Sequence, residues 1–241
     1  TTLFRSPEEN LERDDEAAGY WEKYLPAERI INGNKKDNFW EIGTGPCGPD
    51  SEIYIDLGEE RGCGKPDCAP GCDCDRYLEI WNLVFTQYDH TENGDYIPLA
   101  KKNIDTGAGL ERLASVVQGK PTNFETDLLY PIIEYASRVS GVAYNAGEQS
   151  DISLKVIADH IRACAFLITD GVIPSNEGRG YVLRRIIRRA IRHGYKLGQK
   201  GTFFYRLVDD LVVVMGEAYP ELTKAAARVK TALQHEEERF A

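Results

Sequence analysis

The alternation of apolar and polar residues differs between the two halves of the chain. From residue 38 to residue 102, short apolar or aromatic runs are separated by Gly, Pro and Asn. This texture is typical of antiparallel strands rather than of alternating strands and helices. The run YLEIWNLVFTQYDH at 77–90 predicts a strand. The segment ENGD at 92–95 predicts a hairpin turn into a second strand that starts at Tyr96.

Beyond residue 150 the apolar residues recur at helical spacing. A stripe that starts at Leu154 predicts a helix closed by Gly171, and a stripe that starts at Leu183 predicts a second helix. Further helices are predicted over 203–215, from Glu221 to the end of the chain, and, in the first half, over 15–24, 110–118 and 127–140.

These patterns predict an α+β fold in which an antiparallel sheet is followed by an all-helical region. The polar stretch 143–150 separates the two textures. We therefore place a domain boundary there, with one domain over 1–145 and a second over 146–241. The chain starts at Thr1 without Met and ends inside a helical pattern, so we expect it to be part of a longer polypeptide.

Composition and charge narrow the class of protein. The sequence has no apolar run near the roughly 20 residues that cross a bilayer, and its N-terminus lacks a secretory signal, so a cytoplasmic protein without membrane contact is expected. The net charge is −10, yet residues 151–200 contain ten Lys or Arg against four Asp or Glu. A basic segment in an acidic chain fits contact with a polyanion at one place, and a solvated helix face is the alternative.

Four of the six cysteines lie within twelve residues, as Cys63, Cys68, Cys72 and Cys74. The spacing is C-x4-C-x3-C-x-C in a segment rich in Gly and Pro. Four thiolates on such a loop can enclose a tetrahedral Zn²⁺. Reduced free thiols and disulfides remain as alternatives, because the spacing is not the usual pair of CxxC motifs.

The segment NIDTGAGLER at 103–112 combines an extended stretch, two glycines and the start of a helix. Gly107 and Gly109 permit close approach of a ligand to the backbone, and the helix start offers unpaired N–H groups. Arg112, one turn into the helix, has the reach to bind a phosphate. A purely structural turn between a strand and a helix is the alternative.

Five segments together resemble the alanyl-tRNA synthetases, a family of class II aminoacyl-tRNA synthetases. The segment 103–112 resembles motif 3 of class II. The others are DNFWEIGTGPCGP at 37–49, EIWNLVF at 79–85, VIADHIR at 156–162 and PSNEGRGYVLRR at 174–185. The similarity runs in order from about Asp14 to the C-terminus. One departure is Asp50, which stands where members of the family often carry a second Cys.

The resemblance implies roles for individual residues in ATP-dependent joining of alanine to tRNA(Ala). Asp105 would accept the ammonium group of alanine, and Trp40, Asn82, Val84 and Gly107 would line the alanine pocket. Gly107 and Gly109 would admit ATP with its Mg²⁺, and Arg112 would hold the terminal phosphates. Asp105 and Arg112 are therefore the predicted catalytic residues.

The resemblance also divides the chain by function. Residues 1–145 would be the C-terminal part of the class II catalytic domain, with a Cys-rich insertion at 62–75. Motifs 1 and 2 of class II find no match here, so we expect the chain alone to be inactive. A non-catalytic tRNA-binding module is the alternative interpretation of the isolated chain.

Residues 146–241 would form an incomplete helical domain that recognises the acceptor stem of tRNA. Asn176 occupies the position at which the family reads a G·U pair. The cations predicted to bind RNA phosphates all lie on the second long helix; they are Arg184, Arg185, Arg188, Arg189 and Arg192, with Lys196 beside them. A solvated face, or internal pairing of these arginines with Asp and Glu, is the alternative. Neither His160 nor His193 is assigned a catalytic role.

Overall fold

The computed structural model describes residues 2–4 and 14–240. The chain divides into two compact units, Thr1–Val117 and Gln118–Ala241. The first contains a sheet with short helices and the second is helical, so the predicted α+β class is confirmed. Among the described residues, no helix combines the length and hydrophobicity needed to cross a bilayer.

The sheet of the first unit has the strand order β2-β1-β4-β5-β6, and β3 also pairs with β4. The pairings of the described strands are antiparallel, except that β1 runs parallel to β2. The strands are β1 (Thr2–Phe4), β2 (Ile31–Gly33), β3 (Phe39–Trp40), β4 (Gly45–Asp56), β5 (Tyr77–His90) and β6 (Tyr96–Ala108).

The predicted hairpin between β5 and β6 is confirmed. The backbone N–H of Gly94 donates to the Thr91 carbonyl at 3.0 Å, and Thr91 N–H donates to the Asp95 carbonyl at 2.9 Å. Gly94 has φ +87°, a conformation that a residue without Cβ adopts at low cost. This turn sets the register of the long β5–β6 ladder, which carries most of the predicted site.

Three helices of the first unit are α1 (Asp15–Trp21), α2 (Lys35–Asn38) and α3 (Leu110–Val117). Asp14 caps α1 by accepting the Ala17 N–H at 2.9 Å. The buried Ala17 and Ala18 of α1 pack with Phe85 of β5. This packing covers the sheet around Phe85. Helix α3 begins just after β6 ends, as the sequence predicted.

The second unit is built from α4 (Tyr130–Ser140), α5 (Glu148–Thr169), α6 (Gly178–Lys196), α7 (Leu207–Met215) and α8 (Pro220–Phe240). Their buried apolar residues form one core. The division between the units falls at 117/118 and not at 145/146. The reason is that Ile132, Ile133 and Ala136 of α4 are buried in the helical core. The polar stretch 143–150 contains the end of the connection between α4 and α5 and the start of α5, inside that unit.

A buried carboxylate fixes the turn before α7. Glu237 of α8 is 2% exposed. Its side-chain oxygens accept the backbone N–H groups of Phe203, Phe204 and Tyr205 at 3.0, 2.9 and 3.1 Å. The Phe203 ring in turn lies against Gly194 of α6, where a Cβ would come within 2.1 Å of the ring.

Candidate functional site

The strand register places four of the predicted substrate residues on one face of the sheet. Asn82 of β5 stands opposite Gly107 of β6, and Val84 stands opposite Asp105. Directly opposed residues of an antiparallel pair project to the same side, as do residues two apart on a strand. Asp105 and Gly107 are exposed, and a Cβ added at Gly107 would meet nothing within 4 Å. We call this side the polar sheet face.

The same face continues onto β4 with two buried carboxylates that sequence reasoning did not assign. Asp50 and Glu52 stand opposite Val84 and Asn82. The Asn82 side-chain amide donates to Asp50 Oδ2 at 3.0 Å and to Glu52 Oε1 at 3.2 Å. The Tyr54 hydroxyl donates to Glu52 Oε2 at 2.6 Å. The only signal in the sequence was the spacing of two acidic residues at alternate strand positions.

Burial makes the Asp50 carboxyl reluctant to ionise. It is 5% exposed, and this burial raises its pKa to about 6, against the lowering effect of hydrogen bonds from Asn82 and Asn38. The charge of Glu79 raises the pKa further. Among the described residues, neither Oδ1 of Asp50 nor Oδ1 of Asn82 has a hydrogen-bond partner, although both atoms are buried. The face is thus electronegative and rich in acceptors, a chemistry that suits an ammonium group.

Arg112 lies beside this face at the start of α3. Its Nη1 donates to the Glu79 carbonyl at 3.1 Å and lies 3.5 Å from Glu79 Oε2. Its Cδ would be 3.3 Å from a Cβ added at Gly109, so the glycine leaves room for the arginine chain. The guanidinium is half-exposed. A phosphate that binds Arg112 would therefore compete with a weak, solvent-accessible ion pair.

Trp40 lies on β3 and not on the β5–β6 ladder. It stands opposite Gly48 of β4 and is 42% exposed. Gly48 approaches the Phe85 carbonyl so closely that a Cβ would be 1.9 Å from its oxygen. Trp40 is thus held beside β4, two positions along that strand from the level of Asp50.

The four clustered cysteines are brought together. Their sulfur atoms all lie within 4.8 Å of one another, with Cys63–Cys72 at 3.7 Å and Cys68–Cys74 at 3.5 Å. Tetrahedral zinc with bonds of about 2.3 Å separates its sulfurs by about 3.8 Å. All four are free thiols. A hydrogen bond from the Arg76 backbone N–H lowers the pKa of Cys74 to about 7, whereas burial raises the pKa of Cys68 to about 11, so the metal assignment rests on the sulfur geometry. The set therefore fits a metal better than disulfides.

In the helical unit, the structure divides the predicted arginine face into two groups. Arg185, Arg189, Arg192 and Lys196 are exposed at intervals of four, three and four residues, and we call them the basic stripe. The remaining two arginines of the predicted set point instead to a buried acid.

That acid is Glu236 of α8, which is 2% exposed. Arg184 Nε lies 3.1 Å and Arg188 Nη2 lies 2.8 Å from Glu236 Oε1. Internal pairing, the alternative considered for the whole face, therefore holds for these two. Arg184 also donates to Oδ1 of Asn176, which is exposed in the loop before α6. The predicted base-reading residue is thus oriented by an arginine that Glu236 holds in place.

Comparison with known proteins agrees with the resemblance seen in the sequence. The model of the family described as tRNA synthetases class II (A) matches residues 8–241. The alanine–tRNA ligase of Thermoanaerobacter sp. (strain X514) is 55% identical over 231 residues. Those of Natranaerobius thermophilus and Clostridioides difficile are 56% and 54% identical over 229 and 231 residues. These matches cover 94–95% of this chain but 26% of each relative, so the chain spans about a quarter of their length.

Proposed function

Since this chain belongs to the class II tRNA synthetase family (A), we propose that it is part of an enzyme that joins alanine to tRNA. In that reaction the alanine carboxylate attacks the α-phosphorus of ATP, which gives alanyl-adenylate and releases pyrophosphate. A hydroxyl group at the 3′ end of tRNA then attacks the alanyl carbonyl carbon, which forms the ester and releases AMP. Positioning of reactants and stabilisation of charge carry such chemistry.

The β5–β6 register is the observation that carries this proposal. It sets Asp105 opposite Val84 and Gly107 opposite Asn82 on a face that is open at Gly107. The Asp105 carboxylate would take the ammonium group of alanine in a charge-assisted hydrogen bond. Asn82, held by Asp50 and Glu52, would border the methyl group together with Val84 and Trp40.

ATP would enter with Mg²⁺ bound to its phosphates, whose charge the ion neutralises. The space above Gly107 would admit the nucleotide. Arg112, lying over Gly109, would exchange Glu79 for a terminal phosphate, which a guanidinium binds through two N–H groups. We assign Asp105 and Arg112 the catalytic roles on this basis.

The proposal is tested by alanine-dependent exchange of pyrophosphate into ATP, measured on the longer enzyme that contains these residues. Asp105→Asn should lower kcat/KM for alanine by on the order of 100-fold, because the neutral amide cannot form the charge-assisted hydrogen bond to the ammonium group. Asp95→Asn, an exposed change in the turn of the same hairpin, should leave exchange unchanged. Equal effects of the two variants would contradict the role of Asp105.

We further propose that the helical unit binds the acceptor stem of tRNA(Ala). The basic stripe would contact phosphates, and Asn176 would meet the base pair being read, because an amide can donate and accept at a minor-groove edge. A non-catalytic tRNA-binding module is the second candidate for the isolated chain. It is favoured by the separate core of the helical unit.

Replacing Arg185 and Lys196 together by Ala is expected to weaken binding of any acceptor-stem RNA hairpin to the chain. The slope of log affinity against log salt should flatten by roughly two, because each phosphate left without its cation keeps about one counterion. Titrations of a labelled hairpin at several salt concentrations measure the affinity and its salt slope. The control removes Lys224 and Arg239, two exposed cations of α8, and should change the slope little.

Arg188→Ala serves as the contrasting case. Because Arg188 is paired with Glu236, its removal should lower the free energy of unfolding. The salt slope of RNA binding should change little. A salt slope that changes as much for Arg188→Ala as for a residue of the basic stripe would contradict the division of the arginines into two groups.

We propose that Cys63, Cys68, Cys72 and Cys74 bind one structural Zn²⁺. The reduced chain offered zinc should hold about one equivalent by metal analysis. Replacing Cys68 and Cys74 by Ser should abolish zinc binding, whereas Cys47→Ser in β4 should leave it unchanged. Less than about a tenth of an equivalent in the unmodified chain would contradict a closed four-thiolate site.

A further inference from the structure

One member of the basic stripe is anchored differently from the others. Arg189 Nη1 lies 3.2 Å from Nε2 of His160 on α5, and His160 is only 8% exposed. The other ring nitrogen, Nδ1, lies 2.9 Å from Asp159 Oδ2. By contrast, Arg185 and Arg192 lie over aromatic rings, at 5.8 and 5.5 Å from the ring centres.

The chemistry of the three groups fixes where the protons are. A guanidinium can only donate hydrogen bonds, so Nε2 of His160 must be the acceptor. The ring proton of the neutral imidazole then resides on Nδ1 and is donated to Asp159. The same hydrogen bond is the main cause that lowers the pKa of Asp159. The result is a directed series in which Asp159 fixes the tautomer of His160, and His160 holds Arg189.

We propose that Asp159 and His160 are positioning residues for RNA binding, which hold Arg189 ready for a phosphate of the acceptor stem. This inference rests on the proposed tRNA-binding function. An unrestrained arginine loses rotamer freedom when it binds, and a side chain already held in place loses less. Arg189 lies in the middle of the stripe, between Arg185 and Arg192, so a fixed Arg189 would also align the neighbouring phosphates with these two arginines.

The test uses the full chain and an RNA hairpin with the acceptor-stem helix. His160→Phe keeps an aromatic ring of similar size but removes the acceptor, and should weaken binding about 2- to 10-fold. His160→Gln keeps an acceptor where Nε2 was and should restore most of the affinity. A merely structural role of His160 would not predict rescue by Gln. Thermal unfolding of each variant shows whether it is folded.

A double-mutant cycle with Arg189→Ala isolates the link. If His160 acts through Arg189, the weakening caused by His160→Phe should disappear in the Arg189→Ala background. Additive effects would overturn the inference. Asp159→Ala, at a half-exposed position, provides a second test should His160→Phe not fold, and its effect should also vanish with Arg189→Ala.

The RNA-binding function and the positioning role fail in different ways. If the unmodified chain shows no salt-dependent binding of the hairpin, the proposed RNA-binding function is wrong and the inference fails with it. If the chain binds and Arg189→Ala weakens binding, while His160→Phe and Asp159→Ala bind like the unmodified chain, only the positioning role is wrong.

Discussion

Replacing Asp50 by Asn is expected to raise the free energy of unfolding of the chain at pH 8 by about 2–3 kcal/mol. The folded-state pKa of Asp50 is about 6, above the value of about 3.9 for an unfolded chain. Below the unfolded-chain pKa, Asp50 is protonated in both the folded and the unfolded state, so its ionisation does not affect the free energy of unfolding. As the pH rises from there to 6, the unfolded chain ionises first and stability falls; above 6 the cost stays constant. Asn is neutral throughout and keeps an acceptor oxygen for the Asn82 side-chain amide.

The pH dependence makes this prediction specific. At pH 5 the folded state is still mostly protonated at Asp50, so the gain from Asp50→Asn should shrink to about half. Urea unfolding at pH 5, 6.5 and 8 measures the difference. Asp95→Asn, an exposed change, should alter stability by less than about 0.5 kcal/mol at each pH. If Asp50→Asn instead lowered stability by the same amount at every pH, the Asp50 carboxylate would be better solvated than the structure indicates.

Replacing Glu237 by Ala is expected to lower the free energy of unfolding by about 4 kcal/mol or more. Its carboxylate accepts three backbone N–H groups in a buried place, and each donor left without a partner costs on the order of 1–3 kcal/mol. The turn at 203–205 also positions Phe203 against Gly194, so its disruption would loosen the packing of α6. Urea unfolding followed by far-UV circular dichroism reports on the helices.

Two variants bracket the effect. Glu237→Gln keeps one acceptor oxygen, so it should lower the free energy of unfolding less than Glu237→Ala does. The difference should equal roughly the free energy of the backbone hydrogen bonds that Gln retains. Glu238→Ala removes an exposed neighbour whose side chain accepts a hydrogen bond from Gln234, and should cost less than about 0.5 kcal/mol. If Glu237→Ala and Glu238→Ala proved equally mild, water must reach the turn and replace the carboxylate.

The parts of the fold that follow local rules could be predicted from the sequence. The Asn-Gly turn and the aromatic run before it predict the β5–β6 hairpin, and the apolar stripes predict the long helices. The sequence does not predict strand β4 on its own, because GPCGPDSEIYID contains Gly and Pro, which are disfavoured inside strands. The ladder tolerates them with register shifts beside Cys47 and Ile53. Pairing with β5 overrides the local preference there.

The candidate site could also be predicted only in part from the sequence. The resemblance supplied Asn82, Val84, Asp105 and Gly107, and the register brings them to one face. It did not supply Asp50 and Glu52 as a buried acidic pair, because the sequence does not show which acidic residues are withdrawn from water. Nor could it separate Arg184 and Arg188 from the basic stripe, since their partner Glu236 lies about fifty residues away.

The shared pairing of Arg184 and Arg188 with Glu236 has a consequence for how the chain can vary between lineages. Loss of Glu236 alone would leave two cations crowded at a half-buried place, and loss of both arginines would leave a buried anion without a counter-charge. Substitutions at these three positions should therefore arise together. Among the described residues, the basic stripe has no buried acid as a shared partner, so its members can vary independently of these three positions.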